Sequence, residues 1–143
     1  MTSSTVRVLV LCAGNICRSP AAAAVLARLG TGLEVRSRGT HDWNAGGRAH
    51  PAMAALGAAR GYDLGGHVAA QVTGADLAWA DEVLVMDEAN LADLAARFPG
   101  HAARARLLDE AGIPDPWLSA DPGAFSAAFD QIEAAARAWV AAR

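Results

Sequence analysis

Residues 10–20 read Val-Leu-Cys-Ala-Gly-Asn-Ile-Cys-Arg-Ser-Pro and join an apolar run to an alanine-rich segment. The run, residues 6–11, is β-branched and almost wholly apolar, which is typical of a parallel strand covered on both faces. The segment at residues 21–29 favours a helix, with Ser19 as its N-cap and Pro20 in its first position. The stretch therefore predicts a loop between the carboxyl end of a strand and the amino end of a helix.

This loop has the features of an anion-binding site. The amino end of a helix presents free N–H groups and the positive end of the helix dipole. Gly14 and Asn15 tolerate the unusual backbone angles that turn successive N–H groups inward as a nest. Arg18 adds a planar guanidinium that can bind two oxygens of one phosphate. The pattern predicts that the loop holds a phosphate or a similar oxyanion.

Cys12 adds a nucleophile to the rim of this loop. The inward N–H donors, the helix amino end and Arg18 all favour the thiolate form of its sulfur. A lone cysteine at a strand end is more commonly a small buried apolar residue. Here, however, five residues that include Gly-Asn separate the cysteine from Arg-Ser-Pro, at the junction that suits anion binding. The spacing therefore predicts attack of the Cys12 sulfur on a bound phosphoryl group.

Composition argues against several classes of protein. The chain has 143 residues, 53% of them hydrophobic, which predicts one domain, residues 1–143. The net charge is −3 without a basic run, so we expect no nucleic acid partner. No apolar segment reaches membrane-spanning length, and residues 1–5 do not resemble a signal peptide, so we expect a cytoplasmic protein without a membrane partner. Two cysteines in one loop and four scattered histidines predict neither a metal site nor another cofactor.

The rest of the chain alternates between strand and helix patterns. Strands are predicted at residues 33–37, 82–86 and 104–108, and helices at residues 51–60, 73–80, 87–98 and 124–142. Residues 40–47 and 111–123 are rich in Gly, Pro, Asp or Asn and are interpreted as loops. This alternation predicts an α/β sandwich of three layers, a parallel sheet with helices on both faces. Ligands bind such sheets beyond the carboxyl ends of the strands, which is where the Cys12 loop lies.

The stretch Cys12-Ala-Gly-Asn-Ile-Cys-Arg-Ser-Pro20 resembles the signature of the low-molecular-weight protein tyrosine phosphatase family, and the chain length also fits. The resemblance implies a single domain with a four-stranded parallel sheet in the order 2-1-3-4. It implies hydrolysis of phosphotyrosine, an aryl phosphate monoester, through a phosphocysteine intermediate at Cys12. It further implies that phosphate is bound by the loop residues Ala13, Gly14, Asn15, Ile16, Cys17 and Arg18.

A phosphatase also needs an acid that protonates the leaving oxygen. Asp115-Pro116-Trp117 resembles the Asp-Pro-Tyr acid motif of the family, with Trp117 in place of tyrosine, and therefore predicts Asp115 as this acid. A second pair, Asp121-Pro122, competes for the role. Because Asp-Pro is commonly a plain turn, we interpret Asp121 as a turn or a cap of the last helix.

The resemblance also assigns residues that support the loop and residues that line the substrate cleft. The supporting residues are Asn15, Ser19, Ser37 and His67. A phosphoaryl ring needs flat apolar surfaces beside the phosphate, and the candidates are Ile16, Trp43 and Trp117. One departure is Arg38, which stands where the family has alanine and is expected to place a cation near the site.

Other interpretations remain open at this stage. Thioredoxin-coupled arsenate reductases share the loop but relay electrons through further cysteines, and protein arginine phosphatases carry threonine at the position of Ile16. A non-catalytic oxyanion-binding module is a third alternative. The partners we expect are a phosphotyrosine-containing protein as substrate and phosphate or another oxyanion as inhibitor, for a monomer or weak homodimer. A Cys12–Cys17 disulfide after oxidation is a further hypothesis.

Overall fold

The computed structural model describes residues 5–143. Four parallel strands form one sheet in the order β2-β1-β3-β4. Their bounds are β1 Val6–Cys12, β2 Leu33–Gly39, β3 Glu82–Val85 and β4 Ala105–Leu107. The predicted parallel sheet and its order 2-1-3-4 are confirmed, including the short fourth strand at the edge.

Helices cover both faces of this sheet. They are α1 Arg18–Leu29, α2 Pro51–Ala59, α3 Gly74–Trp79, α4 Glu88–Arg97, α5 Pro99–Ala102 and α6 Ala124–Ala141. Because side chains alternate along a strand, Val8 and Val10 pack on one face with a core that includes Phe129 of α6, whereas Leu9 faces a second core that includes Leu94 of α4. The predicted three-layer sandwich is thereby confirmed. Within residues 5–143, no helix has both the length and the apolar character needed to cross a membrane.

The start of α1 differs from the prediction. The helix begins at Arg18 with Cys17 as its N-cap and without a side-chain cap, so the prediction that Ser19 is the cap was wrong. The hydroxyl of Ser19 instead contacts the sulfur of Cys12 and the amide of Asn15. The first turn of α1 therefore keeps its N–H groups free of a side-chain cap, as an anion site requires.

Other boundaries differ by a few residues. Strand β2 continues two residues further, to Gly39, because it stays paired with β1 as far as Cys12. The short helix α5 was not predicted, and a single 3₁₀ turn, Pro116–Leu118, interrupts the loop predicted at residues 111–123. Helix α3 begins after Thr73, whose hydroxyl caps it by accepting a hydrogen bond from the N–H of Asp76 within a capping box.

The carboxyl ends of β1, β2 and β3 lie at the same edge of the sheet. Cys12 ends β1, Thr40 follows β2, and Asp87 lies two residues after β3. Residues 12–18, between β1 and α1, form the predicted phosphate loop. The segment after β2 remains paired with this loop, because the N–H of Thr40 donates to the carbonyl of Cys12 at 2.8 Å and the N–H of His41 donates to the carbonyl of Ala13 at 3.1 Å. This edge is therefore where the functional side chains meet.

Candidate active site

The sulfur of Cys12 lies at the base of the loop between β1 and α1, with the residue only 2% exposed. The backbone N–H of Asn15 donates to this sulfur at 3.2 Å, and the hydroxyl of Ser19 lies 3.0 Å from it. Asn15 has φ of 59°, in the left-handed region that asparagine tolerates better than most residues. This conformation turns the loop back over the sulfur.

The loop also presents donors that the protein itself does not use. In the described part of the chain, the backbone N–H groups of Gly14, Ile16 and Cys17 donate to no protein acceptor. They lie beside the sulfur on a loop that lines the cleft. Such a set of free N–H groups at a helix amino end is suited to the oxygens of a phosphate.

Gly14 serves a different purpose from the one predicted. Its φ is not positive, so the predicted need for an unusual backbone angle applies to Asn15 alone. A Cβ atom at Gly14 would lie 2.7 Å from Nδ2 of Asn44, whose amide donates to the carbonyl of Gly14 at 3.0 Å. Glycine is therefore favoured at this position by the close approach of the neighbouring loop.

The side chain of Asn15 is the centre of a buried hydrogen-bond network. Its Nδ2 donates to the hydroxyls of Ser19 at 2.8 Å and Ser37 at 2.7 Å. Its Oδ1 accepts from the N–H of Ala70, and its carbonyl oxygen lies 2.6 Å from Nε2 of His67. The structure thus brings together the four residues predicted to support the loop, and they hold Asn15 in its unusual conformation.

This network also fixes the direction of the Ser19 hydroxyl. Because its oxygen accepts from Asn15, its hydrogen is available for the sulfur of Cys12 at 3.0 Å or for the carbonyl of Arg38 at 3.4 Å. The shorter contact favours donation to sulfur.

His67 contributes to the network as a neutral donor. Burial lowers the pKa of His67, an effect opposed by its hydrogen bond to Asn15 and reinforced by the charge of Arg38. At neutral pH the ring is therefore uncharged, and Nε2 must carry the hydrogen in order to bond the carbonyl of Asn15. His67 thus supports the loop without bringing a charge to it.

Arg18 is buried beneath the loop and is only 1% exposed. Its Nη1 donates to Asp87 Oδ2 at 2.6 Å and to the carbonyl of Ile113 at 2.8 Å, while Nη2 lies 3.5 Å from Asp115 Oδ2. Among residues 5–143, its Nε has no hydrogen-bond partner although it is buried. A buried unpaired donor is costly, about 1–3 kcal/mol, and an oxyanion in the loop would satisfy it.

Asp87 was not predicted as a site residue. The sequence analysis placed it only at the start of the helix predicted at residues 87–98, and it does cap α4 through Oδ1, which accepts from the N–H of Asn90. Its other oxygen makes the short, charge-assisted bond to Arg18. Its position just beyond β3 could have identified it as a site residue, because ligand sites form at that edge of a parallel sheet.

Asp115 lies across the cleft from the loop. Its Oδ1 caps the 3₁₀ turn by accepting from the N–H of Trp117 at 3.0 Å, so its other oxygen is left facing Arg18. Asp121 instead accepts from the N–H of Gly123 in an exposed turn and does not line the cleft. The geometry therefore places Asp115, and not Asp121, in the cleft close to Arg18.

A cleft of about 530 Å³ opens above the loop. Ile16, Trp43 and Trp117 line it, with the two tryptophans 67% and 60% exposed. The edge of the His50 ring contacts Trp117, with ring centroids 5.3 Å apart. The volume of the cleft and its flat aromatic walls suit an aryl group attached to the bound phosphate.

One side of the cleft is polar and was missed by sequence reasoning. It is lined by His41, Asn44, Asn90 and Asp93. These residues come from the loop after β2 and from α4, which are far apart in sequence, so only the sheet order 2-1-3-4 brings them together. In the described residues, no group of three His, Cys, Asp or Glu side chains is arranged to hold a metal ion.

Cys17 is a buried thiol next to the site. Burial, together with the nearby Cys12 and Asp115, raises the pKa of Cys17 to about 12, although Arg18 acts in the opposite direction. Both cysteines are free thiols. Cys17 is therefore protonated at neutral pH and is a poor nucleophile as it stands.

Arg38 does not reach the cleft, contrary to the expectation that it brings a cation to the site. Its Nε lies 3.3 Å from Asp76 Oδ2, and its Nη1 donates to the carbonyl of Ser37. Alternation along β2 is the reason, because Ser37 faces the loop and its neighbours in the strand face away. Arg38 acts on the site through its backbone carbonyl, which lies 3.4 Å from the hydroxyl of Ser19, and through its charge, which adds to the effect of burial in lowering the pKa of His67.

Comparison with known proteins agrees with this geometry. Residues 7–142 match the family described as "Low molecular weight phosphotyrosine protein phosphatase". The probable low molecular weight protein-tyrosine-phosphatase EpsP of Ralstonia nicotianae is 36% identical over 136 residues, covering 93% of this chain and 92% of the relative.

Two solved structures with the same fold contain ligands. Wzb of Vibrio vulnificus in complex with benzylphosphonate has a TM-score of 0.91 and 28% identity, covering 98% of this chain and all of the other. The tyrosine phosphatase Wzb of Escherichia coli K30 in complex with sulphate has a TM-score of 0.88 and 27% identity, covering 95% and 96% of the two chains. The protein therefore belongs to the low molecular weight phosphotyrosine protein phosphatase family.

Proposed function

We propose that this protein hydrolyses phosphotyrosine in protein substrates, with Cys12 as nucleophile, Arg18 as phosphate ligand and Asp115 as general acid. The single observation that carries the proposal is the sulfur of Cys12, held between the N–H of Asn15 and the hydroxyl of Ser19 at the base of an open cleft. Family membership supports the reaction, and the aromatic walls support an aryl phosphate as substrate.

The reaction proceeds in two displacements. The thiolate of Cys12 attacks phosphorus, the bond to the aryl oxygen breaks, and protonated Asp115 gives its proton to that oxygen. Water then attacks the phosphocysteine while the Asp115 carboxylate takes a proton from that water, which releases inorganic phosphate and restores both the thiolate and the protonated acid. Free loop N–H groups and Arg18 stabilise the negative charge on the phosphoryl oxygens in both steps. Asp87 keeps the guanidinium of Arg18 oriented through the bond at 2.6 Å.

A steady-state assay with p-nitrophenyl phosphate tests the proposal. We expect turnover that inorganic phosphate inhibits competitively and that a chelator leaves unchanged. Binding of phosphate without turnover would favour the non-catalytic oxyanion-binding module, and the placement of Asp115 beside Arg18 argues against that alternative. An arsenate reductase of the relay type needs cysteines outside the loop, whereas Cys12 and Cys17 are the two in the sequence.

The choice between phosphotyrosine and phosphoarginine depends on Ile16. This side chain lines the cleft at the mouth of the loop, where it meets the first substrate atoms beyond the phosphate. A branched apolar side chain packs against an aryl ring but offers a guanidinium no hydrogen bond. We therefore propose that the protein prefers phosphotyrosine.

Ile16→Thr should shift this preference towards phosphoarginine. The threonine hydroxyl gives the guanidinium a partner and removes part of the apolar contact with an aryl ring. One such contact is typically worth about 1–3 kcal/mol, so the ratio of the two kcat/KM values should change roughly 10-fold or more. Comparable hydrolysis of both substrates by the unmodified protein would show that Ile16 does not determine the choice.

Reversible oxidation is a further property that we predict for this loop. Peroxide would convert the thiolate of Cys12 to a sulfenic acid, and the thiol of Cys17 would then displace water to form a disulfide. Because burial keeps Cys17 protonated at neutral pH, formation of the disulfide should be slow. We expect dithiothreitol to restore peroxide-treated wild type but not Cys17→Ser, and equal recovery of both would rule the disulfide out.

A further inference from the structure

Two rings form one side of the cleft as a unit. The imidazole of His41 stacks on the indole of Trp43, with ring centroids 4.0 Å apart and planes at 3°. Both residues line the cleft, and Trp43 is otherwise largely exposed to solvent. An exposed tryptophan usually samples several rotamers, so contact with a neighbouring ring restricts its position.

His41 is itself held by a carboxylate. Its Nε2 lies 2.9 Å from Asp93 Oδ2, and the hydroxyl of Thr40 donates to the same oxygen at 3.2 Å. Thr40 is buried, and its N–H is bonded to the carbonyl of Cys12. The His41 ring is thus tied to α4 through Asp93, and its backbone is tied to the phosphate loop.

Asp93 lies on a helix whose start is well fixed. The capping box of α4 joins Asp87 and Asn90, and Oδ1 of Asn90 also accepts from the N–H of Met86, the first residue after β3. Asn90 and Asp93 are three residues apart and lie on the same side of α4, where both line the cleft. The position of Asp93 relative to the loop is therefore set by the sheet and not by a mobile segment.

We propose that His41, anchored by Asp93, is a positioning residue that holds Trp43 as a preformed wall for the aryl part of the substrate. A wall that is already ordered loses less side-chain freedom when a ligand binds. The ordered wall should therefore raise the affinity for ligands that carry an aryl group, and not the affinity for phosphate alone. The proposal rests on the function proposed above, because it concerns how the same site selects aryl phosphates.

Binding of two phosphonates separates the wall from the anion site without any turnover. Benzylphosphonate carries an aryl ring, whereas methylphosphonate presents the same anion without one. We expect His41→Ala to weaken benzylphosphonate roughly 3- to 10-fold, the size of one aromatic stack, with methylphosphonate unchanged. Asp93→Ala keeps the imidazole but removes its anchor, and His41→Phe keeps a stacked ring without the bond to Asp93, so both should weaken benzylphosphonate less than His41→Ala does. His101→Ala, outside the cleft, is the matched control and should bind both ligands like the wild type.

Steady-state kinetics provide a second readout, because a general structural defect would change both KM and kcat, whereas loss of the wall should change mainly KM. With p-nitrophenyl phosphate, His41→Ala should raise KM by a similar factor while kcat changes less than twofold. The melting temperature of each variant is measured to check that it is folded. If His41→Ala is unfolded, His41→Phe still tests the stack.

Three results would overturn the proposal. Unchanged or tighter binding of benzylphosphonate to His41→Ala would mean that the imidazole does not support the wall or competes with the ligand for Trp43. Equal weakening of both phosphonates would place the effect on the phosphate loop. No recovery in a folded His41→Phe would exclude stacking as the cause. If the wild type binds both phosphonates but hydrolyses no aryl phosphate, the proposed function is wrong. The affinities of the variants for the two phosphonates still show whether His41 supports aryl binding.

Discussion

Replacing Cys12 by serine is expected to abolish turnover of p-nitrophenyl phosphate while leaving oxyanion binding and the fold intact. Serine fits the space of the buried sulfur and can keep contacts with the N–H of Asn15 and the hydroxyl of Ser19. An alcohol in this position is a far weaker nucleophile than a thiolate. Removing a nucleophile commonly costs on the order of 10⁴-fold or more in kcat, so the rate should fall to the detection limit.

Cys17→Ser is the matched control for this variant. It makes the same chemical change five residues away on the same loop, at a thiol that is protonated and buried. We expect it to retain most of the turnover and to bind phosphate with an affinity similar to that of Cys12→Ser. Substantial activity in Cys12→Ser would contradict the mechanism, because the other thiol of the loop, Cys17, is protonated at neutral pH and is a poor nucleophile.

The second large effect is expected for Asp115→Ala. A lost general acid typically costs about 10²–10⁴-fold, and the cost is greatest for substrates whose leaving group needs a proton. Phenyl phosphate and phosphotyrosine should therefore lose much more activity than p-nitrophenyl phosphate. The ratio of kcat/KM between the phenyl and p-nitrophenyl esters measures this difference directly.

Asp121→Ala provides the comparison that the sequence itself offers. Asp121 also precedes a proline but forms an exposed turn, away from the cleft. We expect its variant to behave like the wild type with all three esters. An equal loss for every leaving group in Asp115→Ala would assign Asp115 a role in holding Arg18, since its carboxylate lies 3.5 Å from that guanidinium.

The features that follow from local sequence could be predicted well. Cys12 and Arg18 could be assigned to the site from one short stretch, in which a strand, a loop with Gly-Asn and a helix follow each other, because the backbone of that stretch itself forms the anion site. The parallel order of the strands followed from the family resemblance and is seen in the pairing of β1 with β2 and β3. The cap of α1 was predicted wrongly because the helix begins at Arg18, so Ser19 lies within the first turn, where its hydroxyl contacts the sulfur of Cys12.

The contacts between distant segments could not be predicted in the same way. Asp87 has the pattern of an ordinary helix cap, and only the structure shows its second oxygen bonded to Arg18, 69 residues away. His41 and Asp93 are 52 residues apart and meet because β2 and β3 lie on either side of β1. Polar residues just beyond the strands were a usable signal, but neither their partners nor their directions follow from spacing.

Trapping the covalent intermediate tests the central claim most directly. Wild-type protein mixed with p-nitrophenyl phosphate and quenched with acid within the first turnovers should carry one phosphoryl group, which mass spectrometry locates on the peptide that contains Cys12. The same experiment with Cys17→Ser assigns the group to one sulfur, since both cysteines lie on that peptide. The account predicts phosphate on Cys12 in both proteins. A quenched enzyme that turns over substrate without any phosphorylated cysteine, or with the group on another residue, would contradict it.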